Sequence, residues 1–477
     1  MPRIVEMQVS FSEVEMKAQI KLDPVLKCIG EFLGQAAELV AKVRADLTRG
    51  LKRPNTGRDG MDPVRVLRAF VLSRIKNWDL RELRERIADG HSLRVFTTFC
   101  AAPVPSHRAF GSAFSRLTPQ TIREINEAVV HAAVDLKVEN GARLRVDTTA
   151  VETDVHYPTD STLLWDVVRV LCREGERLLV EMPELGVSFP DRRKRAKRRS
   201  QEISRLTKRE GTRPQLRKYR DLVRVAEEVM DNAHRLAACA KAQLDSSSVP
   251  LDPMRAAVIS ALVQRLVEVR ELGRRVVAQT RRRVFEGEQV PTQDKVYSIF
   301  EPHTDMIIRG KARTPVEFGH KILIAESGHG LITDYRVLRG NPSDQDHVGP
   351  VLERHAQLFG RAPELFTGDR GFYSEDNIAA CKAAEVKFES IPQRGGQRSP
   401  EREAHEKSKA FRDGQRFRAG VEGRISVLFR GRGMKRCLYE GLKRFEVFIG
   451  VAVLANNLLV LADLLAKKKP ASRKRAA

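Results

Sequence analysis

The repeat of apolar residues changes period at Arg143, and this switch constrains the fold more than any other feature of the chain. Before it, the spacing is helical from about Leu22 to Leu136. After it, Leu144, Val146, Thr148 and Ala150 alternate with Arg145, Asp147, Thr149 and Val151, the period of two that marks a strand. Helical spacing resumes from about Leu163 to Arg283, and strands are then expected at Lys295–Phe300, Lys321–Ala325 and Leu331–Leu338. A helix over His347–Phe359, a strand at Glu364–Thr367, a helix over Ser374–Glu385 and a strand at Val386–Ile391 follow. The pattern closes with helices over Gln415–Phe429 and Leu438–Ala466. Strands separated by so long a helical stretch exclude a plain bundle and point to the α/β class: a mixed sheet covered by helices and interrupted by an insertion.

The expected organisation is a helical N-terminal domain (1–140), a sheet domain in two pieces (141–158 and 290–466), a helical insertion (159–289) and a basic tail (467–477). Start signals punctuate the first domain. Asp62-Pro63 precedes Val64, Leu67, Phe70 and Val71 on one helix face, Asp79 and Glu82 have capping-box spacing, and Thr118-Pro119 opens the stripe Ile122, Ile125, Val129 and Leu136. A helix-turn-helix fits within this domain, although succession of helices by itself is a weak signal for one.

Charge bears on the partner. The chain carries 85 Lys and Arg against 62 Asp and Glu, a net charge of +23. A polyanion answers such a surplus, because Lys and Arg contacts to phosphates release condensed counterions. Basic runs at Arg192–Arg199 and Arg281–Arg283 read as a surface offered by the insertion, against the plainer reading of solvated helix faces. A membrane surface is disfavoured, since the cations are not confined to one amphipathic helix. The six cysteines lie more than fifty residues apart with no C-x-x-C pair, which disfavours zinc or a disulfide framework and suits a reducing cytoplasm. The apolar run from Val447 is interrupted by Asn456 and Asn457, so it reads as a buried helix rather than a membrane span.

Three carboxylates carry the candidate chemistry. Asp147 stands in mid-strand, where a charge must be paired, solvated or bound to metal. Asp369 leaves a short apolar strand into the turn Gly368-Asp369-Arg370-Gly371, the place where α/β sheets present ligand-binding groups. Glu422 lies on a helix striped by Phe417, Val421, Ile425 and Leu428, with Arg418 one turn earlier. Taken singly, each has a plain alternative: an edge aspartate, an ordinary turn, a surface ion pair. Together, two strand-borne aspartates and a helix-borne glutamate suit hard divalent cations, which prefer oxygen ligands.

At these residues the chain resembles the RNase-H-like DDE transposases of bacterial insertion sequences. Asp147-Thr148-Thr149-Ala150-Val151-Glu152-Thr153 with His156-Tyr157-Pro158 is similar to the family's first-aspartate segment, and Gly368-Asp369-Arg370-Gly371-Phe372-Tyr373 to its second. Lys311 with Pro315–Lys321 resembles the approach to the second strand, Gly340-Asn341-Pro342-Ser343-Asp344 the close of the third, and Arg418-x-x-x-Glu422 the arginine and glutamate signature. The stretch Pro63–Leu117 resembles the helical domain that precedes such catalytic domains. Two positions depart from the pattern: Gln415 stands where a tyrosine belongs, and Phe429 where a lysine belongs, with Arg430 beside it. Glu440 and Glu446 are alternative glutamates without the arginine context.

The resemblance implies an RNase-H-like mixed sheet of five strands and metal-dependent cleavage at transposon ends followed by strand transfer into target DNA. Asp147, Asp369 and Glu422 would hold two Mg²⁺ ions, with Mn²⁺ as a substitute. Arg370, Arg418, Lys311 and Arg430 would contact carboxylates or DNA phosphates. Partners would be terminal inverted repeats and target DNA, with a dimer in the synaptic complex and a cytoplasmic, nucleoid-associated location. A nuclease that cuts without joining, and an inactive DNA-binding descendant, are the alternatives. His107 and Arg108 lie in a plausible reading region, and Trp165 could stack on a base but reads better as core.

Overall fold

A computed structural model describes residues 22–51, 60–206, 212–246, 252–308 and 316–468. Lys311 and most of the basic tail lie outside the described residues. The chain forms two compact units, one built from the segments up to Glu152 and from His320 onward, the other from Thr153–Gly319.

The first unit opens with helices α1 (Pro24–Gln35), α2 (Ala37–Thr48), α3 (Pro63–Lys76), α4 (Leu80–Asp89), α5 (His91–Phe96), α6 (His107–Arg116) and α7 (Pro119–Asp135). Their starts follow the cap chemistry of the sequence. The Asp62 carboxylate accepts from the N–H groups of Val64 (2.9 Å) and Arg65 (3.2 Å), and Thr118 Oγ1 accepts from Thr121 N (3.1 Å).

The sheet combines β1 (Arg143–Glu152), β2 (Asp305–Ile308), β3 (Val316–Ser327), β4 (Ile332–Leu338), β5 (Leu365–Thr367) and β6 (Phe388–Ser390), in the order β2-β3-β1-β5-β6 with β4 paired to β3. β1–β5 and β5–β6 are parallel, and β3–β4 is antiparallel, so the sheet is mixed. It has six strands rather than five. Alternation sorts the side chains: Leu144, Val146, Leu323 and Ala325 pack with α12 (Val348–Phe359) and α13 (Glu375–Ala383) on one face. Val151, Ile322 and Ile324 enter the opposite core, with α15 (Lys409–Gly431) and α16 (Leu442–Lys468). A short helix, α14 (Pro400–Lys407), precedes α15.

α16 joins two cores. Phe445, Phe448, Ile449 and Val453 pack under the sheet, while Val447, Val451, Leu454 and Leu458 pack among the N-terminal helices with Phe70, Phe110 and Ile125. The helix is long and apolar enough to cross a membrane, but it is largely buried within this unit, which accounts for its composition. It starts at Leu442, four residues after the expected Leu438, which sits in the preceding loop. The interrupting asparagines are structural: Asn457 Oδ1 accepts from Ile332 N (2.9 Å), and its Nδ2 donates to Ile332 O (2.8 Å).

The second unit is built on α8 (Asp160–Glu181), α9 (Arg193–Arg205), α10 (Thr212–Ser246) and α11 (Pro253–Thr280), around Val167, Leu171, Val225, Val229, Leu266 and Val276. Trp165 packs against that core, as the plain reading has it. The strand expected at Lys295–Phe300 is absent. Val296 and Ile299 are buried in the helical core, and Val296 N donates to Gln279 Oε1 (2.9 Å) instead of to a neighbouring strand. The second strand is Asp305–Ile308, paired with Val316–Gly319.

The basic runs of this unit are largely neutralised at home. Arg192 pairs with Glu228, Arg193 with Asp191 and Glu176, Arg195 and Arg199 with Asp221, and Arg199 also with Glu202. Arg281, Arg282 and Arg283 pair with Glu227, Glu288 and Asp160. Residues 153–319 hold 32 Lys and Arg against 24 Asp and Glu, so the unit is no more basic per residue than the chain as a whole. The arginines of the expected cationic surface are therefore mostly paired within the unit, while Lys194 and Lys197 stay exposed with no ion pair among the described residues.

Replacing Asn457 by Leu leaves the buried N–H and C=O of Ile332 without partners, each costing about 1–3 kcal/mol. A urea midpoint lowered by the equivalent of about 2–6 kcal/mol is expected; an unchanged midpoint would mean those groups find other partners.

Candidate active site

β1 and β5 set the first two carboxylates side by side. Arg143, Leu144 and Arg145 stand opposite Leu365, Phe366 and Thr367; Asp147 lies two residues beyond the last of these pairs on β1, and Asp369 two residues beyond it where the chain leaves β5. Adjacent strands lie about 4.8 Å apart, so the two side chains share one end of the sheet. Asp369 caps the turn at Arg370–Phe372, accepting from Gly371 N at 2.7 Å, and Asp147 accepts from Thr148 N at 2.7 Å.

A third aspartate joins them. Asp344 Oδ2 and Asp369 Oδ1 approach a common point above Gly371, at 3.0 and 2.9 Å from where a Cβ would stand on that glycine. Lys321 on β3 ties Asp344 in place, its Nζ 2.8 Å from Asp344 Oδ1 and donating to Pro342 O (2.8 Å). The motif ending at Asp344 stands out in the sequence, but its aspartate was not singled out as a site residue. Its signal was a carboxylate in a turn that follows a strand, the same signal that marks Asp369.

Burial pushes the Asp147 carboxyl up to about 6, and the charges of Asp369 and Asp344 act in the same direction, against the Thr148 N–H and Arg418. Arg418 on α15 stands between two carboxylates. Its Nη2 lies 2.8 Å from Glu422 Oε1 and its Nη1 3.8 Å from Asp147 Oδ2. Glu422 is 68% exposed, so its link to the aspartates runs through this guanidinium. Among the described residues no three His, Cys, Asp or Glu side chains are closed around a single point. The donor chemistry nevertheless suits a hard divalent cation: a buried carboxylate crowded by like charges, and two others converging over an open glycine.

α15 is held to the sheet by contacts the sequence reading missed. Glu326 on β3 is fully buried between Arg145 Nη2 (2.8 Å) and Arg424 Nε (2.8 Å). Arg145 Nη1 also donates to Phe417 O (2.7 Å), and a side chain at Gly420 would overlap the Arg145 guanidinium, so the helix approaches closely only because that position is bare. Arg145 lies two residues before Asp147, and Arg424 two after Glu422. The signal was available: Glu326 is a charge that follows the apolar run Ile322–Ala325 within the same strand, the argument that singled out Asp147. Gln415, at the tyrosine position, donates to Ser390 O (2.7 Å) and Gly368 O (3.3 Å) and so pins α15 next to Asp369. Phe429, at the lysine position, packs into the core. Arg430 and Arg370 are exposed.

Comparison with known families decides the assignment. The model described as Transposase DDE domain matches residues 302–458, and that described as Transposase domain (DUF772) matches 17–116; together they span more than half of the chain. The chain belongs to the insertion-sequence DDE transposases. Asp344, Asp369, Arg418 and Glu422 of this DDE transposase fall within the catalytic-domain match, and Asp147 lies on the stretch between the two matches. Neither a search of curated proteins nor a search of solved structures returned a match.

The raised Asp147 carboxyl has a measurable sign. Below about pH 4 it is protonated in both the folded and unfolded chain. As pH rises the unfolded chain loses the proton first, so stability falls through the folded value of about 6 and the loss is complete above it. Without divalent metal, Asp147→Asn is expected to be more stable than the wild type at pH 8 by about 2–3 kcal/mol, with the gain shrinking at pH 5. Urea titration in chelator at the two pH values checks this; a variant less stable at pH 8 would contradict it.

Proposed function

We propose that this transposase cuts at the ends of its element and joins them to target DNA at one site formed by Asp147, Asp369 and Glu422. The observation that carries the reading is that the Asp369 charge acts on the buried Asp147 carboxyl from the end of the neighbouring parallel strand, with Arg418 linking Asp147 to Glu422. These carboxylates would hold two Mg²⁺ ions, or Mn²⁺ in their place. Bound there, divalent ions supply Lewis-acid stabilisation of phosphate charge and a more acidic water.

Both steps are phosphoryl transfers. Water attacks a phosphodiester at the element end and its P–O bond breaks, freeing a 3′ hydroxyl. That hydroxyl then attacks a target phosphodiester. The protein contributes position and charge more than covalent chemistry. Arg418 neutralises the carboxylates, and Arg370, exposed next to Asp369, reaches toward a phosphate. Arg430 at the end of α15 contacts the backbone, with Lys311 proposed for the same task. Asp344, steadied by Lys321, orients Asp369. The N-terminal helices and the insertion are assigned to terminal-repeat recognition. Bringing two ends together calls for a dimer in the synaptic complex.

The test is cleavage and joining of labelled DNA carrying the element's own ends, with Mg²⁺. Asp147→Asn, Asp369→Asn and Glu422→Gln are each expected to lower activity by about 10³-fold or more while leaving DNA affinity within about threefold. Products that are cut but never joined would favour a nuclease. An active Glu422→Gln together with an inactive Asp344→Asn would move the third ligand to Asp344.

A further inference from the structure

One group of free cations lies outside the charge runs. Lys76, Arg430, Lys435, Lys443 and Arg444 are all exposed, and none has an ion-pair partner among the described residues. Four of them lie in or beside the loop between α15 and α16, and the fifth ends α3, to which that loop is tied. Arg432 Nη1 donates to Ile75 O (2.6 Å), and the backbone of Gly433 lies against Asn77.

The loop is rigid in its connections. Glu152 N donates to Lys435 O (3.0 Å) and Cys437 N to Glu152 O (2.8 Å), which fastens it to the end of β1. Met434 and Cys437 are fully buried, and the Tyr439 hydroxyl lies 3.2 Å from Arg74 Nη2. Between Cys437 and Tyr439, Leu438 is 71% exposed. An isolated exposed leucine is ordinary on a protein surface. One held between two anchored neighbours, within a field of unpaired cations, has the make-up of the apolar side chains that DNA-bending proteins insert between base steps. Asp147 is five residues back along β1, about 17 Å at the usual strand rise, so DNA held at the active site passes within reach of the loop.

We propose that Leu438 is a wedge that enters duplex DNA and partly unstacks a base step, with Lys435, Lys443, Arg444 and Arg430 holding the flanking phosphates. The proposal rests on the DNA transposase reading and adds a contact that distorts the substrate. Flexible pyrimidine–purine steps are the natural point of entry, because they unstack most easily.

The probe is a 40-base-pair duplex with 2-aminopurine at its TA steps, titrated with the full-length protein. Wild type is expected to raise the fluorescence at saturation. Leu438→Ser should abolish most of that rise while changing affinity by no more than about threefold, and Leu438→Phe should restore it. The triple change Lys435→Ala, Lys443→Ala and Arg444→Ala should weaken binding about tenfold or more and reduce the salt slope by about three. A rise that persists in Leu438→Ser, or tight wild-type binding with no rise, overturns the wedge alone. A wild type that binds no DNA overturns the transposase reading beneath it. If Leu438→Ser instead dissociates a DNA-free dimer and leaves the rise intact, the leucine belongs to a contact between copies and the wedge is wrong.

Discussion

The carboxylate of Glu326, shut off from water and gripped by Arg145 and Arg424, fixes the relation between the sheet and the helix that completes the site. Burying three charges costs several kcal/mol per ion in desolvation and is repaid only when every partner is in place. Such a node contributes little net stability but tolerates few geometries. It therefore acts through position: β1 cannot slide against α15 without stranding a guanidinium, and Asp147 and Arg418 keep their spacing as a consequence. Gln415 performs the same service at the other end of the helix, toward Asp369.

Much of the architecture was legible because it obeys local rules. Caps such as Asp62 and Thr118 mark helix starts through backbone donors that any helix leaves free. Alternation found β1, since both faces of a central strand are buried in distinct cores. Alternation also misled at Lys295–Phe300, whose apolar residues face helices and whose backbone bonds a glutamine side chain. The four-residue strand Asp305–Ile308 is too short to show a period.

For the candidate site, Asp147 and Asp369 were singled out from their strands, and Glu422 from its arginine. Asp344 and Glu326 carried comparable local signals, a carboxylate in a turn after a strand and a charge ending an apolar strand, but what they do depends on which strands are neighbours. The charge runs failed for a related reason. The carboxylates that answer Arg192, Arg195 and Arg199 lie 22 to 36 residues away on another helix, so a run that looks free along the chain is paired in space. The exposed cations around the α15–α16 loop, by contrast, form no run in the sequence, and Lys76 reaches them only through the fold.

The double duty of α16 sets an order for synthesis. The N-terminal helices complete their core on Val447, Val451, Leu454 and Leu458, residues that leave the ribosome some three hundred positions later. At about 5–20 residues per second the first helices wait tens of seconds with an apolar face uncovered, and a ribosome that stalls before α16 releases neither a finished helical region nor a finished sheet. The N-terminal helices thus finish folding only when the catalytic fold is also complete.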